Sequence, residues 1–298
     1  MQRPLFLALA ALVLATGCDS SPSKSGAPGP AGQAPTASPS ASEVPSIMIA
    51  PTPGRPATFA SADGAALSGE LFVSSEPNAP AVILIHRLSG DRSELAPLRE
   101  RLVIAPKRFT VLSFDLRGQG ASKPPEKAKL GDTKDLSKDV EAAIAHVTEA
   151  TKPRGIVLVG TSLGAALASQ VAFAASNVTA LGLVSPGEGI SGHPLYRPYS
   201  EVRNLPTFIA GAKDDTVSKA PVDALEKMAM NGTVKRYDGS RHSALFLAEE
   251  HPELWAAPAT WRLGVFAEVP KERKSLYLAP GKEPKKPRTT PEKPRGPG

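Results

Sequence analysis

Residues 155–164 read Gly-Ile-Val-Leu-Val-Gly-Thr-Ser-Leu-Gly, and the fold follows from what these ten positions require of the backbone. Ile156 to Val159 is a continuous apolar run without polar alternation, the pattern of a parallel strand covered on both faces. From Leu163 to Ala175 the chain is small and apolar on every side, as a buried helix is. Strand and helix are joined by Gly160-Thr161-Ser162-Leu163-Gly164, a G-x-S-x-G sequence. Its two glycines permit a sharp strand-to-helix turn that a Cβ would obstruct. Such a turn lifts the Ser162 hydroxyl above the sheet edge, while the helix start points N–H groups at any negative charge developing there. The motif is common by chance and informative only in this context, after a strand and opening a helix. Here it predicts Ser162 as a nucleophile rather than the surface serine of a plain βα turn.

Working outward, Thr58 to Ala60 and Gly69 to Val73 flank Ala62-Asp63-Gly64, so a hairpin is expected. Further strands are predicted over Ala81–Ile85, Thr110–Phe114, Val178–Val184, Pro206–Ala210 and Thr233–Tyr237. Asp135 to Ala150 places Leu136, Val140, Ala143, Ile144 and Val147 on one helical face. Its Asp135 and Asp139 fall near the positive helix N-terminus. Strand and helix alternating in this way predict an α/β fold: a mostly parallel twisted sheet with helices on both faces. Only about twenty residues separate Val184 from Pro206, so any lid there is small or absent.

Composition bounds that unit. Of 31 prolines, nine lie between Asp19 and Pro56 and six after Leu278. Segments this rich in Pro, Ser, Gly and Ala bury too little apolar surface to offset their ordering entropy. The chain therefore divides into residues 1–18, a tether over 19–56, one folded domain over 57–269 and a tail over 270–298. The net charge of +6 is matched by the tail alone, which from Lys271 holds nine Lys/Arg against three Asp/Glu. The rest is formally neutral, whereas a nucleic-acid-binding domain carries its basic face on the fold itself. No nucleic-acid partner is expected.

Met1-Gln2-Arg3 followed by the apolar run Leu5–Ala15 has the form of a signal peptide. That run is too short for a membrane-spanning helix, which needs roughly 20 residues. It ends in Leu14-Ala15-Thr16-Gly17-Cys18, which resembles the lipobox of bacterial lipoproteins, with Ala15 where Leu is commonest. Cys18 is the only cysteine, so it has no internal disulfide partner. The resemblance implies lipidation of Cys18 and a place in the bacterial cell envelope, facing the periplasm or the exterior. Residues 19–56 then tether the domain to the membrane.

Five motifs in order resemble the α/β-hydrolase superfamily, in its esterase- and dienelactone-hydrolase-like serine hydrolases. The first parallel strand ends in His86, where that family has a His-Gly oxyanion motif. Asp115-Leu116-Arg117-Gly118-Gln119-Gly120-Ala121-Ser122 matches D-x-R-G-x-G-x-S, and Gly160–Gly164 is the nucleophile elbow. Gly211-Ala212-Lys213-Asp214-Asp215-Thr216-Val217 matches the G-x-x-D-x-x-V that carries the acid, and His242 falls where the catalytic histidine does. The resemblance implies Ser162 as nucleophile, His242 as base, and Asp214 or Asp215 as the acid. The family spacing favours Asp214, leaving Asp215 to cap the following turn. It also implies the backbone N–H groups of Leu163 and Leu88 as oxyanion donors, with His86 orienting their loop.

One departure stands out: Arg87 replaces the family's glycine. Either the loop geometry changes or Arg87 projects into the site and attracts an anionic substrate. Asp115 reads as structural, tying down its loop through Arg117. His146 and His251 read as surface or packing residues within helical segments, and His193 as able to line the substrate pocket. The implied reaction is cleavage of an ester or related acyl bond in a small-molecule substrate, without metal or organic cofactor. A serine peptidase or acyltransferase of the envelope shares the same chemistry. A non-catalytic binding lipoprotein that keeps the fold is the alternative outside enzymology.

Overall fold

The computed structural model describes residues 54–104, 109–129 and 131–255. The expected signal peptide, lipidation site Cys18 and basic tail lie outside the described residues, as does the tether before residue 54. The chain runs β1 (Arg55–Ala60), β2 (Ala66–Phe72), β3 (Ala81–Ile85), α1 (Ala96–Ile104), β4 (Thr110–Phe114), α2 (Leu136–Thr151), β5 (Ile156–Thr161) and α3 (Leu163–Ala174). It continues through β6 (Val178–Val184), α4 (Tyr196–Val202), β7 (Thr207–Ala212), α5 (Lys219–Met228), β8 (Gly232–Tyr237) and α6 (Ala244–Glu250). β1 begins at Arg55, two residues inside the expected tether.

The eight strands form one sheet in the order β1-β2-β4-β3-β5-β6-β7-β8. The β1–β2 and β2–β4 pairs are antiparallel; every pair from β4 to β8 is parallel. The expected α/β architecture is therefore observed. Alternation explains its two cores. Ala81, Ile83 and Ile85 of β3, with Ile156 and Leu158 of β5, face α2, α3, α4 and α5. Val82, Leu84, Val157 and Val159 face α1 and α6. Period-2 side chains on strands buried on both faces leave no polar position, which is why these runs read as uninterrupted hydrophobics. Each buried Val, Leu or Ile contributes about 1.5–3 kcal/mol relative to exposure.

Helix α2 buries Leu136, Val140, Ala143, Ile144 and Val147, as its periodicity predicts, and also Asp139. That carboxylate accepts three bonds from Arg117: from the backbone N–H at 2.8 Å, Nε at 2.9 Å and Nη2 at 2.6 Å. Arg117 reaches on to Asp63 in the β1–β2 turn at 2.7 Å, pinning the hairpin to the main sheet. Asp115 holds its loop differently from the sequence expectation. It accepts from the Arg92 N–H at 2.8 Å, Arg92 Nη1 at 3.0 Å and the Ala121 N–H at 2.9 Å, and makes its ion pair with Arg92 rather than Arg117. His146 stacks on Phe59 with ring centroids 4.7 Å apart. His251 is not within a helix but caps the end of α6.

Only one helix, α4 of seven residues, lies between β6 and β7. Helices α1 and α5 lacked a readable sequence signal. Helix α1, of 9 residues, has no amphipathic period, whereas α5, of 10, sets Pro221, Val222 and Leu225 on one face over less than three turns.

Candidate active site

The β5–α3 turn places Ser162 at the carboxyl edge of the sheet with φ 54° and ψ −115°. This positive φ, in a residue with a Cβ, stores roughly 1–3 kcal/mol of strain that its surroundings must offset. The two glycines are steric necessities. A Cβ on Gly160 would collide with the carbonyl of Gly164, and one on Gly164 with the carbonyl of Ile85. The Ser162 N–H donates to the Val184 carbonyl at 3.0 Å, and Thr161 Oγ1 accepts from the Ala244 N–H at 2.9 Å. The elbow is thereby bonded both to β6 and to the helix that follows His242.

His242 lies on the loop after β8. Its Nε2 is 2.9 Å from Ser162 Oγ, and its Nδ1 is 2.7 Å from Asp215 Oδ2. With the ionised carboxylate an acceptor only, Nδ1–H donates to Asp215, which leaves Nε2 to accept from the serine hydroxyl. Asp215 is 2% exposed. Burial pushes its carboxyl up, but hydrogen bonds from His242, the Ser218 hydroxyl and the Val217 N–H outweigh it and hold the pKa below its ordinary value of 3.8. The Ser218 and Val217 bonds measure 2.5 and 2.9 Å. Hydroxyl, imidazole and buried carboxylate in this order can draw a proton from the serine and stabilise the resulting imidazolium.

The acid beside His242 is thus Asp215, a correction to the spacing-based choice of Asp214. Main-chain pairing between the β7 and β8 segments outlasts the strands: the Lys213 N–H donates to Tyr237 O at 2.8 Å and the Asp214 N–H to Gly239 O at 3.0 Å. Lys213 and Asp214 form a turn closed by the Asp215 N–H on Ala212 O at 3.4 Å, and it is Asp215 that meets His242 and caps the following turn through the Val217 N–H. Asp214 is exposed and lines a surface pocket of about 240 Å³ with Lys213, Lys219, Val222, Asp223 and Arg236.

The expected oxyanion donors sit on neighbouring loops. Ile85 pairs with Gly160 across β3 and β5, and Gly164 packs on the carbonyls of Ile85 and His86. Leu163 opens α3, so its N–H has no intrahelical acceptor. Residues 87–90 form a turn closed by Gly90 N–H to Arg87 O at 3.2 Å, with Ser89 at φ 58°. A turn of this kind leaves the N–H of its second residue, Leu88, unused. His86 is buried and bonded to this turn. Its Nε2 accepts from the Leu116 N–H at 3.0 Å, so Nδ1 carries the proton and donates to Arg87 O at 2.7 Å. Burial holds its pKa below 6.5, consistent with a neutral ring.

The Arg87 guanidinium does not stand free. Its Nη1 donates to Leu88 O at 3.1 Å, its Nε lies 3.7 Å from Glu94 Oε1, and its guanidinium stands 5.4 Å from the Phe246 ring centroid. His193 does not present a free ring either. It is buried, with Nδ1 3.2 Å from Gln170 Oε1 and Nε2 2.6 Å from Thr133 O, so it braces the α4-bearing segment. Sequence reasoning passed over Glu94, Thr161 and Ser218. Each is a single polar residue in an unremarkable local pattern; the partner of Thr161, Ala244, is distant in the chain, while Ser218 and Glu94 bond Asp215 and Arg87 three and seven residues away.

A model described as the alpha/beta hydrolase family matches residues 82–271, more than half of the chain. No curated protein matches it. Among solved structures, the chain is similar to the esterase Pf2001 of Pyrococcus furiosus, with TM-score 0.59 and 18% identity over 71% of this chain and 90% of that one. Est1E of Butyrivibrio proteoclasticus, solved with ferulic acid bound, gives TM-score 0.60 and 18% identity over 71% and 100%. XC6422 of Xanthomonas campestris, described as an α/β serine hydrolase without lid, gives TM-score 0.54 and 20% identity over 74% and 97%. At these identities the solved structures speak for the fold, and the family match speaks for descent. The chain belongs to the alpha/beta hydrolase family.

Proposed function

We propose that the protein is a serine hydrolase that cleaves carboxylic esters or related acyl bonds through an acyl-enzyme on Ser162. The relay from Asp215 through His242 to Ser162, at 2.7 and 2.9 Å, carries this reading. Ser162 Oγ attacks the acyl carbon while its proton passes to His242 Nε2, and the carbonyl oxygen takes the negative charge toward the N–H groups of Leu88 and Leu163. Collapse expels the alcohol, which receives that proton. Water, deprotonated by His242, then attacks the acyl carbon and releases the acid, and the proton returns to Ser162. Asp215 keeps the imidazole in the Nδ1–H tautomer throughout.

The single short helix between β6 and β7 favours an open site and short or exposed acyl groups; XC6422, described as lid-free, shares the fold. Cys18 within its lipobox-like sequence supports a lipid anchor, with the enzyme held at the bacterial envelope. Several acyl-chain methylenes at ~0.8 kcal/mol each make an anchor with more than one chain hard to lose.

The test uses the full-length chain with a fluorophosphonate probe and a short-chain nitrophenyl ester, beside Ser162→Ala. Labelling and turnover that depend on Ser162 are expected; their absence from the wild type would leave a non-catalytic binding protein. A product profile with amine acceptors or peptides separates acyl transfer and peptidase activity from hydrolysis. Cys18→Ser is expected to abolish lipid incorporation in cells and release the protein from the membrane fraction.

A further inference from the structure

The turn that would supply the second oxyanion donor is locked by an unusual pair. Residue 87 has both backbone groups engaged: its N–H donates to Glu94 Oε2 at 3.0 Å, and its carbonyl accepts from His86 Nδ1–H at 2.7 Å. The peptide joining Arg87 to Leu88 is planar, so fixing the Arg87 carbonyl also fixes the Leu88 N–H, which points the opposite way. The other side of Leu88 is held too, because the Arg87 guanidinium donates to the Leu88 carbonyl. A glycine at position 87 makes no such side-chain bond.

Glu94 is only 3% exposed, and burial pushes its carboxyl above its ordinary value against the pull of Arg87. The Ser243 hydroxyl and the Leu245 N–H face the same carboxylate, and Ser243 directly follows His242. Gly90 is against it as well, since a Cβ there would come within 2.9 Å of Glu94 Oε2. Among the described residues, six buried side-chain polar atoms make no hydrogen bond of normal geometry, and three of them meet here: Arg87 Nε, Glu94 Oε1 and Ser243 Oγ. A buried carboxylate with a half-buried guanidinium as its incompletely bonded partner is a poor way to fill a core; an apolar side chain of similar volume is cheaper to bury. What the pair provides is a connection between the oxyanion turn and the segment that carries the base.

We propose that Glu94 and Arg87 are positioning residues that together aim the Leu88 N–H at the substrate oxygen and hold the oxyanion turn in register with His242. This rests on Ser162 being the nucleophile. Neither residue touches the reacting atoms. They act through the planar 87–88 peptide and through the Ser243–Phe246 segment, against which Arg87 also stacks.

The experiment compares the full-length wild type with Ser162→Ala, Glu94→Gln, Arg87→Ala and the double variant Arg87→Ala/Glu94→Gln. The readouts are kcat, KM and Tm on a short-chain nitrophenyl ester, and the rate of labelling by a fluorophosphonate. Glu94→Gln keeps the shape but turns an amide N–H toward Arg87 Nε–H. Removing an oxyanion donor outright costs about 10²–10³ in kcat, and misaiming one costs a fraction of that. Each single variant should lower kcat roughly 10- to 100-fold and slow labelling in parallel, with KM within about threefold; Arg87→Ala, which leaves Glu94 buried without its cation, should lower Tm as well. The double variant should lose little more than the worse single one, as expected for residues that act as a unit. Wild-type kcat in both single variants, losses confined to KM or Tm, or fully additive losses would each overturn the latch. Turnover that survives in Ser162→Ala would instead overturn the nucleophile assignment, a separate and recognisable failure.

Discussion

Replacing Asp215 by Asn tests the relay at its least sequence-obvious member. Asp215 Oδ2 accepts from His242 Nδ1–H and from the Ser218 hydroxyl, and Oδ1 accepts from the Val217 N–H. An asparagine has one acceptor oxygen, and Val217 is the partner that cannot adapt, because a backbone N–H only donates. Turning the amide the other way sets its NH2 against that N–H and costs about 1–3 kcal/mol for the unpaired buried donor. The favoured arrangement keeps the oxygen on Val217 and points the NH2 at His242, while the Ser218 hydroxyl rotates to accept. His242 then accepts at Nδ1, its proton moves to Nε2, and Ser162 faces a donor instead of a base. A carboxylate-to-amide change that imposes the wrong tautomer in a Ser-His-Asp site lowers kcat about 10⁴-fold, which is about 5.4 kcal/mol of barrier. Asp214→Asn alters an exposed side chain and should leave kcat within a factor of about two to three, since surface substitutions fall within about 0.5 kcal/mol. The assay is steady-state ester hydrolysis by both single variants at matched protein concentration, with circular dichroism to confirm folding. A kcat for Asp215→Asn within tenfold of wild type, or an equal loss in Asp214→Asn, refutes the reasoning.

Three other outcomes follow from contacts in the fold. Alanine at Gly160 or Gly164 forces a Cβ onto a backbone carbonyl that nothing flexible can yield, so either variant should lose several kcal/mol in urea melts and all turnover; a folded, active Gly164→Ala would contradict this. Asp139→Asn breaks the buried pair with Arg117, and loss of one partner costs about 3–5 kcal/mol. The low end is expected here because Asp63 still holds the guanidinium, and chemical denaturation measures it. Asp215 has a folded pKa below 3.8, so its contribution to stability is present above that value and is lost as pH falls through the lowered folded value. The stability gap between wild type and Asp215→Asn should hold from pH 7 to pH 5 and narrow only below about pH 4; a gap that closes near pH 6 would show that another group sets it.

How much of this was legible in the sequence varies from residue to residue, and range is the reason. The β5–Ser162–α3 turn depends on ten consecutive residues, so its shape could be read directly: an apolar strand, two glycines without room for a Cβ, and an apolar helix. Strands buried on both faces announce themselves as unbroken hydrophobic runs, and helix α2 by its 3.6-residue period. Helix α1 stayed silent because its nine residues set no amphipathic period, and α5 went unread because its apolar face spans less than three turns. The choice between Asp214 and Asp215 was beyond any local pattern, because it turns on how far the β7–β8 ladder persists past Ala212. The orientation of Arg87 was equally out of reach. Its guanidinium is held by its own neighbour's carbonyl, by a carboxylate seven residues on and by a ring from the far end of the domain. Local sequence determined the turn that carries Ser162 and the layers on either side of it. Tertiary structure decided which carboxylate meets His242 and what the 87–90 turn is bonded to, since those contacts join segments that only the folded sheet brings together.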